Sequence, residues 1–137
     1  MIVLDTNLLS ELMKAAPDEL VWSWFQAQLR EDLHTTAITV AEIHSGIQRM
    51  PNGRRREQVR KTADGMFAAV TDEVLSFTAE AAMAYPVVLD RRTRAGLPIQ
   101  PLDAQIAAIC LVEEATLATR NTKDFVETGV ELVNPWE

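Results

Sequence analysis

Four acids stand where a carboxylate can do chemistry: Asp5, Glu42, Asp103 and Asp124. Asp5 ends the apolar run Ile2-Val3-Leu4, and Glu42 lies one helical turn past a β-branched segment that begins at Leu33. Asp124 follows the run at residues 116–119, and Asp103 opens the apolar helical segment that leads into that run. In an open α/β sheet the carboxyl ends of parallel strands share one edge, and ligands bind there at the point where the strand order reverses. All four acids can therefore meet at one edge, although 37, 61 and 21 residues separate them in turn. Carboxylates crowded together cannot all stay ionised without compensation, and a divalent cation supplies it. Oxygen donors with no thiolate and no paired histidine select Mg²⁺ or Mn²⁺ over zinc. An ion held this way grips a phosphodiester oxygen and lowers the pKa of a bound water.

Each acid also has a plainer reading as a helix cap. Asp5 or Asn7 can cap a helix start. Thr39-Val40-Ala41-Glu42 fits a capping box, Asp103 can cap the helix it opens, and Asn121 and Asp124 share the same spacing. The two readings coexist, because a helix start stabilises nearby carboxylates without preventing them from binding a cation. His34 and His44 add nothing to the set, since His44 lies two residues from Glu42 and cannot share its helix face.

The elements that must position these acids follow from the apolar pattern. Strands are predicted at 2–4, 33–38, 74–77, 116–119 and 130–133, with a helical turn at 124–126. Helices are predicted at 7–13, from Pro17 through the stripe Val21, Trp24, Phe25 and Leu29, at 39–50, from Arg54 to Val70, at 79–95 and from Asp103 onward. Pro51-Asn52-Gly53 ends one helix and Gly96 another. Short apolar strands alternating with helices predict an α/β domain: a central parallel sheet of four to five strands with helices on both faces.

A length of 137 residues predicts one domain spanning 1–137. Thirteen Lys and Arg against 20 Asp and Glu give a net charge of −7, the wrong sign for a general nucleic-acid coating protein. The single Cys110 excludes an intrachain disulfide and a thiolate zinc site and is expected in the core. No signal-peptide pattern precedes Asp5 and no run of 18 apolar residues exists, which predicts a cytoplasmic protein with no membrane partner. The glycines form no phosphate-binding loop, and no G-x-S-x-G elbow is present. A magnesium phosphatase of the haloacid dehalogenase type wants a second Asp two residues after the first, where Asn7 stands. Metal-assisted hydrolysis of a phosphodiester keeps its support.

The start Met1-Ile2-Val3-Leu4-Asp5-Thr6-Asn7 and the segments Ala37-Ile38-Thr39-Val40-Ala41-Glu42-Ile43, Leu102-Asp103-Ala104-Gln105-Ile106-Ala107-Ala108 and Leu117-Ala118-Thr119-Arg120-Asn121-Thr122-Lys123-Asp124-Phe125 resemble those of the PIN-domain toxins. They are most similar to the VapC/FitB branch of type II toxin–antitoxin systems, as is the closing Asn134-Pro135-Trp136. The resemblance implies a PIN-like fold and a Mg²⁺- or Mn²⁺-dependent endoribonuclease that acts as a homodimer and is inhibited by a cognate antitoxin. It implies catalytic and metal-binding roles for Asp5, Glu42, Asp103 and Asp124, with Thr6, Asn7 and Asn121 as polar supports. Family members place the fourth acid at either the Asn121 or the Asp124 position, and here only Asp124 is acidic. The alternative from another class is a non-catalytic PIN-like module that binds RNA or a partner and uses the acids only as caps.

Charge is uneven along the chain. Arg49, Arg54, Arg55, Arg56, Arg60 and Lys61 cluster with Glu57 as the only acid among them, and Arg91, Arg92 and Arg94 form a second group. Such patches give RNA affinity through phosphate contacts, or they are solvated helix faces. Arg120 and Lys123 flank the expected site and are further candidates for RNA contact. Trp22, beside the stripe of Val21 and Phe25, is expected at an antitoxin or dimer surface before an RNA surface.

Overall fold

Val3 and Leu4 are fully buried neighbours on one short strand, so the sheet they belong to is covered on both faces. In the computed structural model, which describes residues 1–137, that strand is β1 (Ile2–Leu4), the middle strand of five. The others are β2 (Leu33–Thr36), β3 (Val74–Leu75), β4 (Thr116–Ala118) and β5 (Glu131–Val133). All neighbouring pairs are parallel, in the order β3-β2-β1-β4-β5. The chain builds outward from β1 to β2 and β3, then crosses back to place β4 on the other side of β1. The order therefore reverses between β1 and β4, and the crevice lies at their carboxyl ends.

Six helices cover the sheet: α1 (Thr6–Leu12), α2 (Glu19–Gln26), α3 (Ala37–Gln48), α4 (Arg54–Val70), α5 (Ala79–Arg94) and α6 (Pro101–Val112). Alternation along the strands divides the core in two. Leu4 and Ala118 pack with Leu8, Leu9, Val21, Ile43, Ile47, Ala63 and Val70 of the first four helices. Val3 and Leu117 face the other way, onto Ala81, Val88, Ile106, Ala107 and Cys110 of α5 and α6. Cys110 is a buried core residue whose thiol is pushed up by burial. Full burial of a Leu or Val side chain is worth about 1.5–3 kcal/mol, so these two layers hold the strand ends in place. No helix is long and apolar enough to cross a membrane.

Several element boundaries differ from the sequence reading. Pro17 lies before the second helix, whose cap is Asp18 donating no proton but accepting from Leu20 and Val21 N–H. Leu29 lies beyond that helix and is exposed. The strand predicted to reach residue 38 stops at Thr36, because the Thr36 hydroxyl accepts the Thr39 N–H and starts α3 at Ala37. The predicted strand at 74–77 contracts to Val74–Leu75. The turn expected at 124–126 is a 3-10 turn at Thr122–Asp124.

Candidate active site

The site is built outward from the β1–β4 pair. Leu4 and Ala118 are partners in register, so the next residues, Asp5 and Thr119, emerge side by side at the crevice. The Asp5 N–H still donates to the Ala118 carbonyl at 3.0 Å, which ties the carboxylate to the sheet edge. Asp5 is buried at 5% exposure. Its Oδ1 accepts the Thr6 N–H at 2.8 Å, making it the cap of α1, and its Oδ2 accepts from the Thr119 hydroxyl at 2.7 Å and from Asn7 Nδ2 at 3.3 Å. Burial pushes the Asp5 carboxyl above its ordinary value, opposed by the Thr119 and Thr6 hydrogen bonds and reinforced by the charges of Glu42 and Asp124.

Glu42 is not the partner of a capping box. With α3 starting at Ala37, Thr36 is the cap and Glu42 lies a full turn too deep to reach back to it. Its Oε1 instead accepts the Thr6 hydroxyl at 2.8 Å, and Thr6 sits 3.0 Å from the Thr39 hydroxyl. Asp103 is not a cap either. Gln100 holds the cap position of α6 and Pro101 its first turn, which places Asp103 within that turn. Asn121 precedes the 3-10 turn but makes no side-chain cap, and its exposed side chain stays outside the network, while its N–H donates to the Thr119 hydroxyl at 3.1 Å. The plainer reading thus holds only for Asp5, which caps α1 while facing the crevice.

Asp103 and Asp5 feel each other and both remaining acids. Burial first, then the charges of Asp5, Asp124 and Glu42, push the Asp103 carboxyl up to about 6, against a smaller opposing effect of Arg92. No hydrogen bond relieves it. None of the four acids takes part in any ion pair of the molecule. The four are close enough for their charges to act, yet no three His, Cys, Asp or Glu side chains are gathered at ligating distance. An oxygen-only set of carboxylates that makes no ion pair, with Asp103 and Asp124 free of side-chain hydrogen bonds, fits a hard divalent cation.

Thr119 is a site residue that the sequence reading quoted without a role. It is fully buried, and one hydroxyl serves Asp5, Asn7 (3.2 Å) and the Asn121 N–H. The in-register pairing of β1 with β4 is the signal that places it beside Asp5. Asn7 Oδ1 in turn accepts the Arg120 N–H at 3.3 Å. The Arg120 guanidinium lies over the Trp136 ring, 5.4 Å from its centroid, at the exposed rim.

The basic groups divide unevenly. Arg54 and Arg55 are exposed, whereas Arg56 donates to Asn52 Oδ1 (2.8 Å) and Gln48 Oε1 (2.6 Å), and Arg60 pairs with Glu57. Arg55 and Lys14 line a groove of about 550 Å³ between α1 and α4. That groove shares Ser10, Met13 and Val59 with a second one that reaches Thr6 and Glu42. The second basic group is divided, with Arg91 and Arg94 exposed and Arg92 buried. Arg92 is 4% exposed, Arg91 donates to the Thr128 carbonyl, and Arg94 pairs with Asp90. Lys123 is exposed beside the site.

Comparison with known proteins gives the same frame. The PIN domain family model matches residues 2–131. The chain is 40% identical to a VapC ribonuclease, Y4jK, of Sinorhizobium fredii, covering 100% of this chain and 99% of that protein. It is 33% identical to the toxin FitB of Neisseria gonorrhoeae over 99% of both chains. The crystal structure of FitAcB from Neisseria gonorrhoeae superposes with a TM-score of 0.89 at 32% identity, covering 100% of this chain and 99% of that one. The five-stranded parallel sheet, the acids at its switch point and these full-length matches together place the chain in the PIN-domain family.

Proposed function

We propose that this chain is the toxin of a type II toxin–antitoxin pair, a metal-dependent endoribonuclease that hydrolyses RNA phosphodiester bonds and is held inactive by its cognate antitoxin. The observation that supports the reading is that Asp5 and Asp103 both feel the charges of Glu42 and Asp124 at the carboxyl end of the β1–β4 pair, with only Asp5 used as a cap. The relatives named as a VapC ribonuclease and as the toxin FitB support it at 40% and 33% identity.

Asp5 and Asp103 are the residues that would hold the principal Mg²⁺ or Mn²⁺, with Glu42 and Asp124 completing the set directly or through water. A divalent ion there supplies charge neutralisation at the phosphate and a more acidic water. Thr119, Asn7 and Thr6 fix the Asp5 and Glu42 carboxylates by hydrogen bonds, so these two enter the reaction already oriented. Glu42 or Asp124 takes the proton of the attacking water, and the expected products carry a 5′-phosphate and a 3′-hydroxyl. The groove leading from Glu42 to Lys14 and Arg55 offers an RNA chain a basic path away from the acids.

We place the protein in the cytoplasm, where RNA and antitoxin are available. Exposed Met83 and Val87, one turn apart on α5, offer an apolar face for a homodimer. The deciding experiment maps cleavage ends across total cellular RNA for the wild type and for Asp103→Asn. New 5′-phosphate ends that appear only with the wild type support the reading. No new ends with the wild type leave a PIN-like binding module in its place, and equal new ends from both proteins remove Asp103 from the site.

A further inference from the structure

Arg92 is a buried cation that makes no ion pair, although its charge acts on Asp103. It follows Val88 by four residues, so it lies on the core-facing stripe of α5 rather than among the exposed residues that end the helix. Its guanidinium is spent on backbone carbonyls. Nη1 donates to Val126 O at 2.8 Å and to Lys123 O at 3.2 Å, and Nη2 donates to Pro98 O at 3.0 Å. Nε is buried with no partner at all. An orphaned buried donor is rare, and here it accompanies a guanidinium aimed wholly at three carbonyls.

Those carbonyls are not scattered. Lys123 and Val126 bracket Asp124, and Pro98 belongs to the short link that enters α6 ahead of Asp103. One rigid, planar cation thus bridges the two segments that carry the two acids lacking the hydrogen-bond set of Asp5. Arg91, its neighbour, also reaches the same loop, but only at the Thr128 carbonyl, farther from Asp124 in sequence (2.9 Å).

We propose that Arg92 is a positioning residue of the acidic site, holding the backbone behind Asp103 and Asp124 at one separation and so setting the affinity of the site for a divalent cation. The inference rests on the metal reading given above. A lysine cannot reproduce it, because a single ammonium lacks the forked donors that reach both segments at once.

The test uses Mn²⁺ as the probe on the full chain, with calorimetric titration and amide hydrogen exchange. Arg92→Lys should weaken Mn²⁺ binding by at least about 10-fold, the range for losing a group that orients a ligand. It should also speed exchange at 97–103 and 120–128 together. Cleavage at saturating Mn²⁺ should return toward the wild-type rate, because the ligands themselves are intact. Arg91→Ala should lower the melting temperature and leave Mn²⁺ affinity unchanged. Equal Mn²⁺ affinity in Arg92→Lys and the wild type overturns the proposal, and so does an equal loss in Arg91→Ala. In the wild type itself, Mn²⁺ should slow exchange in both segments, and slowing in only one overturns the coupling. If the wild type binds no Mn²⁺, the metal reading falls by itself; the bridge is then judged by exchange in Arg92→Lys, where unchanged rates in both segments refute it.

Discussion

The two halves of the crevice are built on opposite principles. On the β1 side, Asp5 is buried and its two oxygens accept three hydrogen bonds, from Thr6, Asn7 and Thr119. On the α6 side, Asp103 has no hydrogen bond, and burial with three neighbouring acids pushes its carboxyl up to about 6. The first half is a finished piece of the fold, in which hydrogen bonds from Thr119 and Thr6 oppose the upward push of burial on the Asp5 carboxyl. The second is unfinished, because Asp103 has no hydrogen bond or ion pair and the charge of Arg92 offsets only part of the cost. Under the proposed metal reading, such a site would separate the labour: Asp5 would fix where the ion sits, and Asp103 would gain most from its arrival.

The largest effect should come from the unfinished half. Asp103→Asn keeps shape but removes charge from the pocket, and cleavage should fall by at least about 100-fold, since a direct ligand outranks the groups that merely orient one. Circular dichroism should be unchanged, because Asp103 caps nothing and holds no hydrogen bond. Asp5→Asn should lose activity as well, but it should also lower the melting temperature, because Asp5 caps α1 and anchors the hydrogen bonds around it. A stability loss equal in the two variants would erase the contrast between the halves.

The pH dependence of stability sharpens the same contrast. The Asp103 carboxyl rises from an ordinary 3.8 to about 6 on folding, so the folded chain binds this proton more tightly than the unfolded one. Its contribution is fully present below pH 3.8 and is lost as pH climbs through about 6. Without metal, the wild type should therefore lose stability relative to Asp103→Asn between those limits, as read by thermal melts across pH. Mn²⁺ needs the ionised form, so its binding should strengthen over the same window. At a concentration 100 times its dissociation constant, a ligand specific for the folded state stabilises it by about 2.7 kcal/mol. A Mn²⁺-induced rise in melting temperature that persists in Asp103→Asn would place the ion elsewhere.

What could be read from the sequence and what could not follows this division. The parallel sheet and its ligand-binding edge were legible, because short apolar strands alternating with helices determine both. The competition at Thr36 was not. Thr36 and Thr39 are both plausible caps, and the choice depends on where β2 stops pairing, which β1 and β3 decide. That choice moves Glu42 from a capping partner to an acceptor for Thr6. Arg92 was misread for a related reason. In Arg91-Arg92-Thr93-Arg94 the run of charge hides the helical period, and only the step from Val88 shows that one of the three points inward. Thr119 needed the strand register, a long-range property that no local pattern contains.

A middle-sized effect should come from the hydroxyl that completes the finished half. Thr119→Val preserves volume and β-branching but removes the 2.7 Å donor to Asp5 Oδ2. A buried acceptor deprived of its donor costs about 1–3 kcal/mol, more when it is charged, and denaturant titration should read a loss in this range. The Asp5 carboxyl should rise further, since the Thr119 hydrogen bond is the largest influence holding it down. Thr6→Val removes the donor to Glu42, which is only half-buried, and should cost less stability than Thr119→Val. If the two cost the same, the crevice is uniform and the division into two halves is wrong.

The smallest effect should lie outside both halves, in the basic residues that would guide RNA toward them. Arg54 and Arg55 have free guanidinium groups, while Arg56 and Arg60 are occupied by Asn52, Gln48 and Glu57. Each phosphate contact on a single strand adds about 0.7 to the slope of log affinity against log salt. Replacing Arg54 and Arg55 by Ala should therefore lower that slope by up to about 1.4, while replacing Arg60 should barely change it. Both changes leave the acids untouched, so the cleavage rate at saturating RNA should stay near the wild-type rate. A slope that responds to Arg60 as strongly as to Arg55 would mean that the ion pair with Glu57 opens on binding. The groove past Ser10 and Val59 would then no longer be favoured as the RNA path over the whole outer face of α4.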